Sequence, residues 1–223
     1  MRKVIAVVVT AAVMLWATAG AAHADGVAAG VSVGTLGLGP EFAFPVRENI
    51  NVRVGFQWLD FNHATEYHSV NYDTEVSLLN VPVDVDWFPA HGIFRLTAGL
   101  AFSQNKLDAE GRPQSGVYTI GNNNYSATQI GSVKAETKYN AFAPYLGVGW
   151  GNPVRPGKKF GWNVDVGLLY LGSPKTTYTV TCGTGVNCAQ LQADASIESG
   201  NFNDDVSRYK LYPVGQFYVT WQF

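Results

Sequence analysis

The sequence predicts an all-β chain, an antiparallel transmembrane β-barrel of eight strands with long extracellular loops, and three observations carry that expectation. Oily and polar residues alternate with period two along successive segments, which puts one set of side chains on each face of a strand. The segments reach the ~9 to 11 residues that a tilted membrane strand needs, and aromatics collect at the ends of their oily faces. Connections alternate between short and long, as in bacterial outer-membrane barrels, whose periplasmic turns are short and extracellular loops long.

Composition agrees and excludes several other classes. Of 223 residues, 47% are hydrophobic and 13% aromatic, but only 14% are charged, against about 25% in ordinary soluble domains. This is neither a disordered tail nor a coiled coil, and a net charge of −2 is unlike a nucleic-acid binder. A mean hydropathy of +0.00 excludes a bundle of membrane helices, which needs several runs of about 20 apolar residues.

One such run opens the chain. Arg2 and Lys3 precede an apolar stretch from Val4 to Ala22, and Ala22-His23-Ala24 sets small residues where a signal peptidase reads them. Residues 1–24 are therefore expected to be a cleaved signal peptide and residues 25–223 the outer-membrane barrel; an uncleaved anchor helix is the alternative. Cys182 and Cys188, an even pair in an exported chain, are expected to form a disulfide.

Both termini of a single-chain bacterial barrel are periplasmic and its strand number is even. Val27 to Val33 and Leu36 to Phe44, joined at Gly34-Thr35, are read as the first two strands, with one long strand over Val27 to Pro45 as the alternative. Ile50, Val52, Val54, Phe56 and Trp58 form the oily face of the third, and Leu79 to Trp87 the fourth. Phe94, Leu96, Ala98, Leu100 and Phe102 define the fifth, Phe142 to Trp150 the sixth, and Trp162 to Tyr170 the seventh. The last runs from Tyr209 to Phe223, its odd positions mostly oily and its even positions mostly polar. Short turns fall near Arg47-Glu48-Asn49, Ala90-His91-Gly92 and Asn152 to Lys159. Long loops fall at Asn62 to Val70, Leu107 to Lys134 and Pro174 to Val206. Within them, Val117 to Ile120 and Asn124 to Ala127 flank a Gly-Asn-Asn turn and read as a hairpin, and Ala189 to Glu198 reads as a short helix.

An eight-stranded barrel is just wide enough for side chains to fill. By parity Glu41, Asp84, Asp86 and Asp165 are inward acids, and Arg53, Arg95 and Lys210 inward bases. Opposite charges on adjacent strands, Arg53 with Asp84 among them, are expected to pair and plug the lumen. A proton or ion path is the alternative reading.

Four stretches resemble a family of small proteobacterial outer-membrane β-barrel proteins: Gly34 to Gly39, Phe94 to Leu100, Ala143 to Gly151, and the ending from Tyr212-Pro213-Val214 to Phe223. The resemblance covers nearly the whole mature chain. It rests on strand and turn motifs, so it implies a fold and a location in the cell outer membrane but no chemistry. Phe217, Val219, Trp221 and Phe223 also resemble the terminal signal read by the barrel-assembly machinery. They serve equally as the last oily face.

The expected role is structural or surface-interacting, with the long loops as contact surface. A narrow passive channel and a lipid A-modifying enzyme are the alternatives. The expected partners are outer-membrane lipids and lipopolysaccharide, with the assembly machinery during biogenesis; no nucleic acid and no cofactor are expected. His63 and His68 lie near Thr65, Glu66 and Ser69 in the first long loop, and His91 in a tight turn. No motif of the enzyme families matches, so neither catalysis nor a His63, Glu66 and His68 metal site is expected.

Overall fold

A computed structural model describes residues 26–67, 70–155 and 157–223. The signal peptide expected over residues 1–24, and His68 and Ser69, lie outside the described residues. Pairing follows chain order: β1 (Ala28–Gly34), β2 (Gly37–Arg47), β3 (Ile50–Gly55) running on into β4 (Gln57–Tyr67), β5 (Val70–Trp87), and β6 (Phe94–Ser103) running on into β7 (Lys106–Pro113). Next come the small hairpin β8 (Val117–Ile120) and β9 (Asn123–Ser126), and β10 (Ile130–Lys138) leading into β11 (Phe142–Trp150). β12 (Phe160–Tyr170) leads into β13 (Lys175–Cys182), α1 (Cys188–Val206) follows, and β14 (Leu211–Gln222) ends the fold.

All pairings are antiparallel. β14 joins β1 with Ala28 opposite Gln222, and β5 joins β6, so the sheet closes as an eight-strand barrel of β1, β2, β3, β5, β6, β11, β12 and β14. Val27 to Pro45 supplies two strands, because the Gly34 to Gly37 turn returns the chain, and Gly37 takes the φ of +116° that glycine tolerates. The first and last strands of the barrel meet end to end at one rim, here called the terminal rim, where Phe223 N–H donates to Val27 C=O.

The outside is oily. Val83 is 45% exposed and Leu100 56%, whereas Arg53, Asp86 and Arg95 are buried inside a chain of only 223 residues. Water does not select that arrangement; a bilayer does, and this is the build of a transmembrane barrel. Aromatics gather at both ends of the oily band. Phe94 meets Trp150 at 6.0 Å near the terminal rim, and Phe102 meets Phe142 at 5.6 Å near the other.

Beyond that second rim the long segments are not loops but sheet. β4 pairs the upper half of β5, β5 pairs β7, β7 pairs β10 and β10 pairs β13, so one side of the barrel continues upward as a wall. The register passes unbroken from barrel to wall on β5 against β6 and β7, where Asn80 faces Ser103 and Ser77 faces Lys106. Backbone groups with partners on the next strand have no reason to leave the ladder at the rim. The stretches read as loops from Asn62, Leu107 and Pro174 are thus corrected to strands. The helix is also longer than the expected Ala189 to Glu198. Asn187 caps it by accepting from Gln190 N–H, and it runs to Val206 along the inner side of β13. The β8–β9 hairpin stands where the sequence placed one.

Candidate functional site

Inside the barrel the alternate residues of each strand fall into layers. Val154, from the turn between β11 and β12, packs on Ala28 and Ala43 and closes the terminal rim, and Phe88 is buried just past the end of β5. Above lies an ionic layer centred on Arg53. Its Nε donates to Asp86 Oδ2 at 2.6 Å, its Nη2 donates to Asp86 Oδ1 at 3.1 Å, and its Nη1 donates to Glu41 Oε1 at 3.1 Å. Nη2 also lies 2.7 Å from Asp165 Oδ2, and the Tyr218 ring stands 5.0 Å from the guanidinium carbon. Arg95 completes the layer, donating to Asp165 Oδ1 at 2.6 Å, to Asn163 Oδ1 at 3.4 Å and to the Gly151 carbonyl. Thr97 donates to Asp86 at 2.7 Å.

Carboxylates and guanidiniums this deeply buried are tolerable only when they satisfy one another, and the two forked arginines let each serve several acids. Glycines make the room. A Cβ on Gly149 would stand 2.1 Å from Asp165 Oδ1 and 2.7 Å from Arg95 Nε, and one on Gly99 would stand 2.0 Å from Asp84 Oδ1. The bare positions on β6 and β11 are seats for charged side chains on neighbouring strands.

The structure brings together Glu41, Arg53, Asp84, Asp86, Arg95 and Asp165. One particular of the sequence reading needs correcting. Lys210 is exposed at the upper rim and takes no part, because β14 begins only at Leu211 and strand parity does not extend back to it. Asp84, expected to pair with Arg53, does so at 3.8 Å, more loosely than Asp86, and its Oδ1 has no hydrogen-bond partner. Directly across the ladder Arg53 does face Asp84. The guanidinium instead slants one register step down to Asp86, a choice that cross-strand register alone does not encode.

A third layer seals the upper mouth. Leu36, Ala101, Ala143, Tyr145, Leu169, Leu171 and Val214 form one apolar cluster, with Leu36 supplied by the β1–β2 turn. Between this lid and the ions a void of about 10 Å³ touches Asp84, Tyr145 and Tyr218, room for about one water. Strand parity does not reveal this lid, because Leu36 sits in a turn and only the closed ring aims a turn residue inward.

Over the mouth, α1 and the small hairpin lean on the inner face of the wall. Leu191 and Ala195 pack with Ile120, Tyr125, Ile130 and Val180. Asp194 is the polar centre of that contact, accepting from Tyr125 O–H, from Asn123 at 2.8 Å and from Gln190 at 3.2 Å. Those donors hold its carboxyl below the ordinary carboxylate range, while the bond to Asp194 pushes the Tyr125 hydroxyl up to about 12. Cys182, at the end of β13, is disulfide-bonded to Cys188, the first residue of α1, with Cα atoms 5.7 Å apart.

Two solved structures share this architecture. Acinetobacter baumannii CarO2 superposes with a TM-score of 0.63 at 20% identity, over 91% of this chain and 100% of its own. The chain has the CarO fold. Acinetobacter baumannii CarO itself gives 0.60 at 22% identity, over 90% of this chain and 98% of that one. No protein-family model and no curated protein matches the sequence. The likeness to CarO2 and CarO is one of fold, and it takes in nearly all of the chain.

The two histidines among the described residues lie apart on this fold. His63 is exposed on β4, stacked on Phe61 at 6.1 Å, and His91 occupies a turn with φ of 52°. Among the described residues no group of three His, Cys, Asp or Glu side chains converges on a metal position. Phe217 and Trp221 point outward on the oily band of β14, and Phe223, just past its end, is exposed.

Proposed function

We propose that the protein is an integral barrel of the Gram-negative outer membrane, with its terminal rim in the periplasm, a closed lumen and a structural or surface-interaction role. The lumen carries this reading. Val154 and Phe88 stand at one end, the ionic layer fills the middle and the Leu36 cluster covers the other, with a void of about 10 Å³ beside Asp84. A hydrated solute needs a continuous path, and the side chains of these three layers stand across it. The investment of chain lies instead in the wall, the helix and the hairpin, which extend the barrel outward and present the surface that a partner meets first. Export by a cleaved signal peptide and recognition of Phe217, Val219, Trp221 and Phe223 by the assembly machinery belong to the same proposal.

The refolded protein, incorporated into a planar bilayer under an applied voltage, should show no steady conductance steps. Regular single-channel openings would overturn the closed-lumen reading in favour of a narrow passive channel. One observation favours that second reading: Asp84 Oδ1 and the Tyr145 hydroxyl, both buried beside the void, have no hydrogen-bond partner. If they mark a solute path, Tyr145→Phe should alter the openings.

A further inference from the structure

On the outer side of the wall, strand register lines up three lysines. Ser77 of β5 faces Lys106 of β7, Lys106 faces Lys138 of β10, and Lys138 faces Lys175 of β13. Like charges directly opposite each other weaken a sheet, so the row needs an account. Directly paired residues share a face, and Ser77 shares its face with Leu79, Val81 and Val83, the last 45% exposed on the oily band. The lysines therefore continue the membrane-facing surface of the barrel.

Their height is set by the same ladders. Lys106 stands four residues beyond Phe102, and Lys138 four residues from Phe142 on the adjoining strand, where these two rings form the upper aromatic collar. That is about 13 Å along the strand, and less along the axis of a tilted barrel. Three neighbouring strands make the row about 10 Å wide. The carboxylates that pair with it lie on the side away from the collar, while Asp60 of β4 stands in the same row two strands from Lys106 and accepts from Ser77 O–H at 2.9 Å. Lys106 Nζ is 2.6 Å from Asp108 and 3.4 Å from Glu136, and Lys138 is paired with Glu136; Glu75, Asp108 and Glu136 face one another in the register beyond. Lys175 has no carboxylate partner among the described residues. The membrane-ward side of the row carries donors and no acid.

We infer that Lys106, Lys138 and Lys175 hold the phosphate groups of the glycolipid that forms the outer leaflet. This rests on the outer-membrane reading above. The ammonium groups stand at headgroup level, their apolar stems can lie down along the collar, and an anion arriving from the leaflet side relieves the repulsion within the row. The acids behind them keep the lysines upright and keep the wall from binding anions elsewhere.

The test uses the full mature chain refolded in detergent, with bis-phosphorylated lipid A as the probe, dephosphorylated lipid A as its control, and native mass spectrometry as the readout. The wild type should retain the phosphorylated lipid with about a tenfold preference. Lys106→Gln, Lys138→Gln, Lys175→Gln in one chain should abolish the preference, and the corresponding triple arginine variant should keep it. Equal retention of the two lipids by the wild type, or an undiminished preference in the glutamine variant, overturns the inference. Displacement by excess inorganic phosphate also overturns it, since the site would then read a free anion. Insertion into phosphatidylcholine vesicles, followed by the heat-modifiable gel shift, keeps the two readings apart. A wild type that inserts but shows no preference loses only the lysine row, whereas one that cannot insert loses the membrane reading as well.

Discussion

Arg53 carries more of the lumen than any other side chain, since Glu41, Asp86 and Asp165 all lie within 3.1 Å of its nitrogens. Whether the intact network adds net stability is a separate matter from the cost of breaking it, because burying charges is itself expensive. Removing one partner leaves the others buried and unpaired. Arg53→Leu should therefore cost about 3 to 5 kcal/mol, read as a lower temperature for the heat-modifiable gel transition; an unchanged temperature would sink the network. The glycine seats give a second residue-level test. Gly149→Ala pushes a methyl into Asp165 and Arg95 and should cost about 1 to 3 kcal/mol. Nothing lies within 4 Å of the Cβ position at Gly215, so Gly215→Ala should stay within about 0.5 kcal/mol of wild type.

Above the rim, the helix and hairpin are fastened by one carboxylate and one disulfide. Asp194 has its carboxyl lowered in the folded state by Tyr125 and Asn123. A lowered group contributes stability that is present above its ordinary value of 3.8 and is lost as pH falls through the lowered one. The hairpin should accordingly stay docked at neutral pH and loosen below about pH 4, seen as faster amide exchange over residues 117–126 while the barrel strands stay protected. Asp194→Ala should give that exchange at neutral pH. Exchange independent of pH in the wild type would show that the apolar contacts of Leu191 and Ala195 hold the hairpin by themselves. The disulfide closes a short loop, with a sequence separation of 6, and so adds only about 2 to 3 kcal/mol in the chain-entropy model. The Cys182→Ser, Cys188→Ser double variant should still assemble, because Ser199 and Asn203 also bind the helix to Thr176 C=O. Protease nicking should speed up near residues 183–190; loss of the gel shift would show instead that the crosslink is needed for assembly.

The molecule as a whole is inside out relative to a soluble barrel, and that inversion can be measured. Val83 and Leu100 face each other across β5 and β6 on the oily band. Arginine at either should cost about 2 to 4 kcal/mol near the midplane of a bilayer. Single cysteines from Arg95 to Phe102, labelled and probed with a lipid-soluble quencher, should alternate with period two, strong at Leu96, Ala98 and Leu100 and weak at Thr97 and Gly99. Uniform quenching would contradict the closed ring. The wall changes the shape of the argument but not its sign, since its strands are continuations of barrel strands and carry the same inside and outside upward.

Period-two alternation was enough to specify the strands that form the barrel and which side of each faces inward, because side-chain parity is a local property that one residue of slip would invert. It also assembled the right six charges, for Glu41, Arg53, Asp84, Asp86, Arg95 and Asp165 all occupy regular strand positions. What it could not supply was anything dependent on the ring as a whole. Lys210 lies one residue outside its strand, so parity misplaced it. The closer approach of Arg53 to Asp86 than to Asp84 depends on the slant of its guanidinium across the lumen, away from the residue directly opposite it. The wall was hidden because its charged strands, Asp73 to Ser77 or Lys134 to Lys138, look like loops until a neighbour takes up their backbone groups. Lys106, Lys138 and Lys175 lie in three separate parts of the sequence, and only the register of two ladders puts them side by side. Local pattern follows from the chain's own covalent geometry, whereas neighbours across a sheet are decided by closure, which no single segment contains.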